Sequence, residues 1–472
     1  MHDKSMIRDL EELIRIPSVY DPEGAFGEPF GRDVERCLEK ILQIGTGLGF
    51  KAKNYDGYAG ELDLGEGSKI IGVLGHCDVV APGEGWSTDP FEPVIKDGRL
   101  YGRGSSDDKG ALLACMYAAK RLKDNRKLPS DVMIRIIIGT NEEEDWNDIP
   151  HYLEKTENLP LYSIVPDAQF PVIYCEKGLY DIDLLYVPDN CQTDRSIILE
   201  RFEGGSARNA VAARAEATLR FTSKDDDVRE TAQLLKKLIY EKGFDGIVSE
   251  GEDLITVVMN GRNAHAMNPE KGINAGARLI EILSALPEEK FSHSGFVKEF
   301  RKLIGEDYLG EKAGLACRDE ESGDLTVSVG VFRESDDGLI TMQASIRYPA
   351  SADFEQIKAK TADGLGGGKF TIREISHMKS VYFKKDDPFV RLLMDVYREV
   401  SGDCESEPIS IGGATYARAI PNAVAFGPLF PWEEELAHEP DEFVDLDSLQ
   451  KAGEVYYRTF ERICELLKGD NL

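Results

Sequence analysis

Two histidines and a group of carboxylates stand in five short segments: Gly75-His76-Cys77-Asp78, Asp107-Asp108-Lys109-Gly110, Asn141-Glu142-Glu143-Glu144, Pro166-Asp167-Ala168 and Ala437-His438. Imidazole nitrogen and carboxylate oxygen together suit Zn²⁺, Mn²⁺ and Co²⁺. Gathered in one place, such a set could hold two ions, and paired ions can activate water against a carbonyl. The chemistry expected is hydrolysis. Taken singly, the segments are ambiguous. His76-x-Asp78 arises easily by chance, Asp107-Asp108 could be an ordinary helix N-cap, and a Glu run is usually a solvated turn. Position changes that balance. Four of the segments follow the apolar, β-branched runs Ile70–Leu74, Val132–Ile138, Tyr162–Val165 and Ala423–Phe426. In open α/β sheets, ligands collect beyond the carboxyl ends of the strands.

The elements that would place these residues can be read from the pattern. Strands alternate with helices from Ile70 to about Lys177, as a largely parallel sheet requires. The helix from Lys109 opens directly after the Asp107-Asp108 pair, so its N-terminal dipole favours anionic groups there. After Gly178 the runs Tyr180–Val187, Ala212–Phe221, Leu254–Asn260, Leu325–Phe332 and Leu339–Tyr348 alternate in hydrophobicity, which is the mark of half-exposed antiparallel strands. Helical spacing returns at Phe389–Val400 and in the last helix, where Leu449, Ala452, Tyr456, Phe460, Ile463 and Leu467 share a stripe. The fold class expected is α/β: a discontinuous catalytic domain with a mainly parallel sheet flanked by helices, plus an inserted α+β lid of one or two subdomains. The boundaries expected are 1–180, 181–382 and 383–472.

Composition narrows the function. The chain has 472 residues, more than one core ordinarily serves. Its formal net charge of −30 disfavours nucleic acid and anionic membranes as partners. No stretch approaches the ~20 apolar residues that span a bilayer. Met1-His2-Asp3-Lys4-Ser5 lacks the basic-then-apolar pattern of an export signal, and the eight cysteines form no C-x-x-C pair. A cytoplasmic protein with reduced, mainly buried thiols is expected.

The ordered series GHCDVV, GRGSSDDKG, GTNEEE, VPDAQFP, GRNAHAMNPEKGINAG, RYP, GGATYAR and FPWEEELAHEP resembles the PepV-type dipeptidases. These belong to the aminoacylase/glutamate carboxypeptidase superfamily of co-catalytic metallopeptidases. The resemblance runs from about Leu13 to the C-terminus. It implies that Asp107 bridges two divalent ions, that His76 and Asp167 hold one, and that Glu143 and His438 hold the other. It further implies that Glu142 is the general base and that Asp78 orients His76. In the insert, His265 would donate to the tetrahedral oxyanion and Arg347 would take the substrate's free carboxylate. Asn209, Gly412 and Gly413 fall in matching segments that contact substrate. Asn141 departs from the family pattern, where Asp is common, and Glu144 departs where a small residue is common.

Elementary chemistry agrees with this division. A ligand shared by two cations must be a carboxylate, since neutral imidazole cannot span both without losing a proton. One Glu as ligand and its neighbour as base is economical, because adjacent side chains cannot face one ion alike. The expectation is therefore a dipeptidase that uses two ions per chain, Zn²⁺ first with Mn²⁺ or Co²⁺ as alternatives. The ions would activate a bridging water, and Glu142 would take its proton. The substrate expected is a free dipeptide, and a monomer is preferred over a homodimer because the long insert carries His265. Two competitors are an N-acyl-amino-acid deacylase on the same ions and an inactive metal- or amino-acid-binding module.

Overall fold

A computed structural model of the chain describes residues 4–23, 28–187, 195–223, 227–335 and 338–469. Met1–Asp3 and Cys191, used above for the leader and the thiols, lie outside them. The chain divides into two compact units. One comprises Met1–Tyr174, Phe383–Ser410 and Ala414–Leu472; the other comprises Cys175–Tyr382 and Ile411–Gly413.

The first unit is built on a mixed sheet. Its strands run in the order Lys51–Tyr55, Ala59–Gly65, Val132–Gly139, Lys69–His76, Tyr162–Val165, Ala423–Ala425 and Ile173–Glu176. The four central strands from Val132–Gly139 to Ala423–Ala425 are parallel. The pairings outside them are antiparallel. Burial explains the composition of the centre. Val132-Met133-Ile134-Arg135-Ile136-Ile137-Ile138 has almost every side chain covered, as a strand with both faces packed must. Arg135 is tolerated there because Asp63 receives its Nε and Nη2 at 2.8 Å each and Glu61 lies 3.1 Å from Nη1. The helix Lys109–Asp124 packs against the C-terminal helix Leu446–Gly469, which also meets Pro388–Ser401. His76 is in register with Gly139, so two central strands end side by side. That register sets the site.

The second unit is built on an antiparallel sheet of eight strands. The order is Asp245–Glu250, Leu254–Asn260, Arg214–Phe221, Ile197–Gly204, Thr326–Glu334, Ile340–Tyr348, Gly178–Tyr186 and Phe370–Met378. Helices Val228–Glu241, Ala275–Leu283, Ser294–Leu303 and Phe354–Gly364 accompany it. Arg214–Phe221 shows the strict in–out alternation that the sequence displays, with its covered side chains in one core. The edge strands Asp245–Glu250 and Phe370–Met378 lack that alternation and are mostly exposed. Charged, uncovered edges resist pairing with other chains. With so little buried, their side chains need not alternate, and hydrophobic periodicity does not find them. No helix among the described residues is long and apolar enough to cross a membrane.

Candidate metal centre

His76 is the last residue of its strand and is fully buried. Its Nδ1 lies 3.0 Å from the carbonyl oxygen of Asp78 and 3.4 Å from that residue's Oδ1. A carbonyl can only accept, so Nδ1 carries the proton of the neutral ring and Nε2 keeps its lone pair. Nε2 faces Asp107 Oδ1 at 3.0 Å and Asp167 Oδ1 at 3.8 Å. The other oxygen of Asp107, Oδ2, is 3.2 Å from Nε2 of His438, which also meets Glu143 Oε2 at 3.0 Å. Asp107 thus has one oxygen toward each imidazole. Ligating atoms of His76, Asp107 and Glu143 lie within 4.8 Å of one another, as do those of His76, Glu142 and Asp167. These five residues and His438 all belong to the first unit.

The backbone around these side chains is held by carboxylates of its own. Asp78 Oδ2 accepts the Glu143 amide at 3.1 Å, tying the His76 loop to the Glu142 loop. Asp108 does not cap the helix it precedes. Its Oδ2 accepts the His76 amide at 3.2 Å instead, which corrects the plain N-cap reading. Gly75 makes this approach feasible, since a Cβ there would stand 2.3 Å from that oxygen. Glu144 points to solvent. Cys77 is a packed thiol beside Cys37.

Glu442 was not singled out from the sequence. It is fully buried and accepts Arg103 Nη1 at 2.7 Å together with the amides of Gly104, Ser106 and Asp107 at 3.1, 2.9 and 3.2 Å. This carboxylate fixes the turn that presents Asp107. No local pattern marks it, because its partners lie more than three hundred residues away in sequence. Glu442→Ala would strand a buried guanidinium and is expected to cost about 3–5 kcal/mol of stability. A lowered urea midpoint at unchanged slope is the readout.

The electrostatics bear on whether cations fit. Burial first, then Asp107, pushes Glu143 up to about 7 and Asp167 up to about 6. Burial and the charge of Asp167 push Glu142 well above the usual carboxylate range. Hydrogen bonds to Asp107 and Glu143 raise His438 to about 11. Burial opposes charge on His76, yet Asp107, Asp167 and Asp78 outweigh it and raise it well above its ordinary value. The centre is therefore over-supplied with negative charge in a confined space. Two dications would reverse that field, and the mixed nitrogen–oxygen donors suit Zn²⁺, Mn²⁺ or Co²⁺. The residues present fit a metal pair.

The model for peptidase family M20/M25/M40 matches residues 72–462. The chain belongs to peptidase family M20/M25/M40. It is a hydrolase acting on peptide bonds. Putative dipeptidase YtjP of Bacillus subtilis (strain 168) is 38% identical over 456 residues, covering 96% of each chain. Among solved structures, an M20 family metallo-carboxypeptidase of Sulfolobus solfataricus aligns with TM-score 0.57 at 17% identity, over 97% of this chain and 99% of that one. The dipeptidase Dug1p of Saccharomyces cerevisiae aligns with TM-score 0.58 at 14% identity, over 98% and 96%. At such identities these structures speak for the M20 fold.

The remaining candidates of this M20 chain lie in the second unit. His265 is exposed, and its Nδ1 accepts the Met267 amide at 3.1 Å, which places the proton of the neutral ring on Nε2. The carbonyl of Asn209 accepts the Ala266 amide at 2.8 Å, so the Asn209 and His265 segments run together. Gly412 adjoins them, where a Cβ would stand 2.9 Å from that of Met267, and Gly413 lies next to the Met267 sulfur. Arg347 is buried in the strand Ile340–Tyr348, opposite Leu179 on one side and Thr326 on the other.

Proposed function

We propose that this protein is a dipeptidase with two divalent ions in the centre formed by His76, Asp107, Glu143, Asp167 and His438. The observation that carries the reading is Asp107, whose two carboxylate oxygens face one imidazole each. In this assignment Asp107 would serve both ions, His76 and Asp167 would hold one, and Glu143 and His438 would hold the other. When bound, the ions supply an activated water and a polarised carbonyl. Glu142 takes the proton of the attacking water and passes it to the leaving amine. Asp78 holds the His76 ring by its Nδ1–H. His265 donates from Nε2 to the developing oxyanion, a contact worth about 10²–10³ in turnover. Arg347 grips the free carboxylate of the substrate with Asn209, Gly412 and Gly413 beside the backbone. We place the protein in the cytoplasm, which suits the described cysteines, five of seven being buried. The acting species is a monomer.

The substrate class is tested with free dipeptides, their N-acetylated and C-amidated forms, and N-acetyl amino acids. Cleavage confined to free dipeptides supports the reading. Cleavage confined to N-acetyl amino acids overturns the substrate and keeps the chemistry. Arg347→Ala is expected to raise KM for free dipeptides about 10- to 100-fold, from loss of a charge-assisted pair. Amidated dipeptides, lacking the carboxylate, should change little. An equal loss on both, in protein that melts normally, contradicts the role of Arg347.

A further inference from the structure

Tyr416 lies outside every role assigned above. It is fully buried in the first unit, four residues beyond Gly412. Its hydroxyl donates to Oδ2 of Asp148. The same oxygen accepts the amides of Thr140 at 2.7 Å and Asn141 at 3.1 Å, while Oδ1 accepts the Ile149 amide at 2.7 Å. A buried carboxylate with four donors has one orientation. Thr140 and Asn141 are the two residues between the end of the strand Val132–Gly139 and Glu142. Their amides therefore hang from a side chain that Tyr416 holds in place.

The far side of the same loop is closed by Asn141. Its carbonyl accepts the Trp146 amide at 3.0 Å, and its Oδ1 accepts the Asn147 amide at 3.1 Å. Trp146 has φ 56°, and its ring meets that of Tyr416 edge-on with centroids 4.9 Å apart. The Tyr416 ring is also perpendicular to that of His76, at 6.4 Å. Gly139 leaves the space: a Cβ there would stand 2.4 Å from the Tyr416 hydroxyl oxygen and 2.7 Å from Asp148 Oδ2. One buried tyrosine thus touches both walls of the Glu142 loop.

We propose that Tyr416, acting through Asp148, is a positioning residue that fixes the backbone from which Glu142 reaches the reacting water. This rests on the reading of Glu142 as general base. A proton acceptor displaced by ~1 Å can lose about 10²-fold in rate without any change in substrate affinity. The loop carries a metal ligand as well, but Glu143 has its own tether, its amide being held by Asp78. Loosening the Tyr416 side should therefore act on the base before it acts on the ions.

The test uses the full chain, loaded with Zn²⁺ or Mn²⁺, as parent, Tyr416→Phe and Asp148→Asn. Tyr416→Phe keeps the ring and removes the hydroxyl. Its kcat on a free dipeptide is expected to fall about 10- to 100-fold, with KM within about twofold and two ions still bound per chain. Amide hydrogen exchange over residues 140–147 should quicken. Asp148→Asn should do the same more strongly, and Tyr416→Phe carries the test if that variant fails to fold. An unchanged kcat with unchanged exchange overturns the proposal. So does a loss that appears in KM, or one that tracks loss of metal. If the parent cleaves no dipeptide, the dipeptidase reading fails, and the exchange over residues 140–147 still decides the positioning role.

Discussion

Glu142→Gln is expected to reduce dipeptide turnover by roughly 10²–10⁴-fold, the range a positioned general base supplies. Gln has nearly the shape of Glu and cannot take up a proton at neutral pH. The substitution therefore separates chemistry from packing. Geometry makes the metal content of this variant decisive. Glu142 lies with His76 and Asp167 in a group compact enough to hold an ion, so a ligand role competes with the base role. A base leaves the ion count unchanged when it is replaced, and a ligand does not. Full metal content with lost turnover assigns the base. Loss of an ion would reassign Glu142 to the coordination shell, and retained turnover in a fully loaded variant would remove it from the mechanism.

Asp107→Asn is expected to lower turnover at least as far, by a different route. The two oxygens of Asp107 face Nε2 of His76 and Nε2 of His438. An amide presents one oxygen and one NH2 group, and the latter repels a cation. At least one of the two ions should be lost, and activity should fall to that of chelated protein. Stability reports the same event. Ions that bind only the folded chain stabilise it by about 2.7 kcal/mol at a hundredfold excess over Kd. The parent should gain this on metal addition, whereas the variant should show a reduced gain. An Asp107→Asn protein with two ions and normal turnover would contradict the bridging role.

The sequence shows the centre more readily than its supports. The segments of His76, Glu142 and Asp167 can be found because strand periodicity predicts where central strands end, and ligands gather at those ends. Asp107 follows no central strand and His438 stands well beyond Ala423–Ala425, so those two are read from the resemblance of their motifs. The parallel centre of the sheet follows from the same buried runs. Glu442, Asp148 and Tyr416 were not legible as supports. Glu442 and Tyr416 act on groups far away in sequence, Asp148 acts on amides of its own loop, and acids and tyrosines in turns carry no periodicity. Asp108 shows the limit most clearly. Its place before a helix favours a cap, yet its side chain serves the His76 strand. Charged edge strands such as Phe370–Met378 escaped for a related reason: with little buried, nothing forces their side chains to alternate.

The most direct measurement is a metal titration of chelator-stripped protein, with bound ions and hydrolysis of a free dipeptide followed in the same samples. A two-ion dipeptidase shows no turnover in the stripped chain and saturates at two ions. Its activity appears with Zn²⁺, Mn²⁺ or Co²⁺, and Glu142→Gln, carrying the same two ions, stays silent. Full activity in stripped protein, or saturation and full activity at a single ion, would contradict this reading.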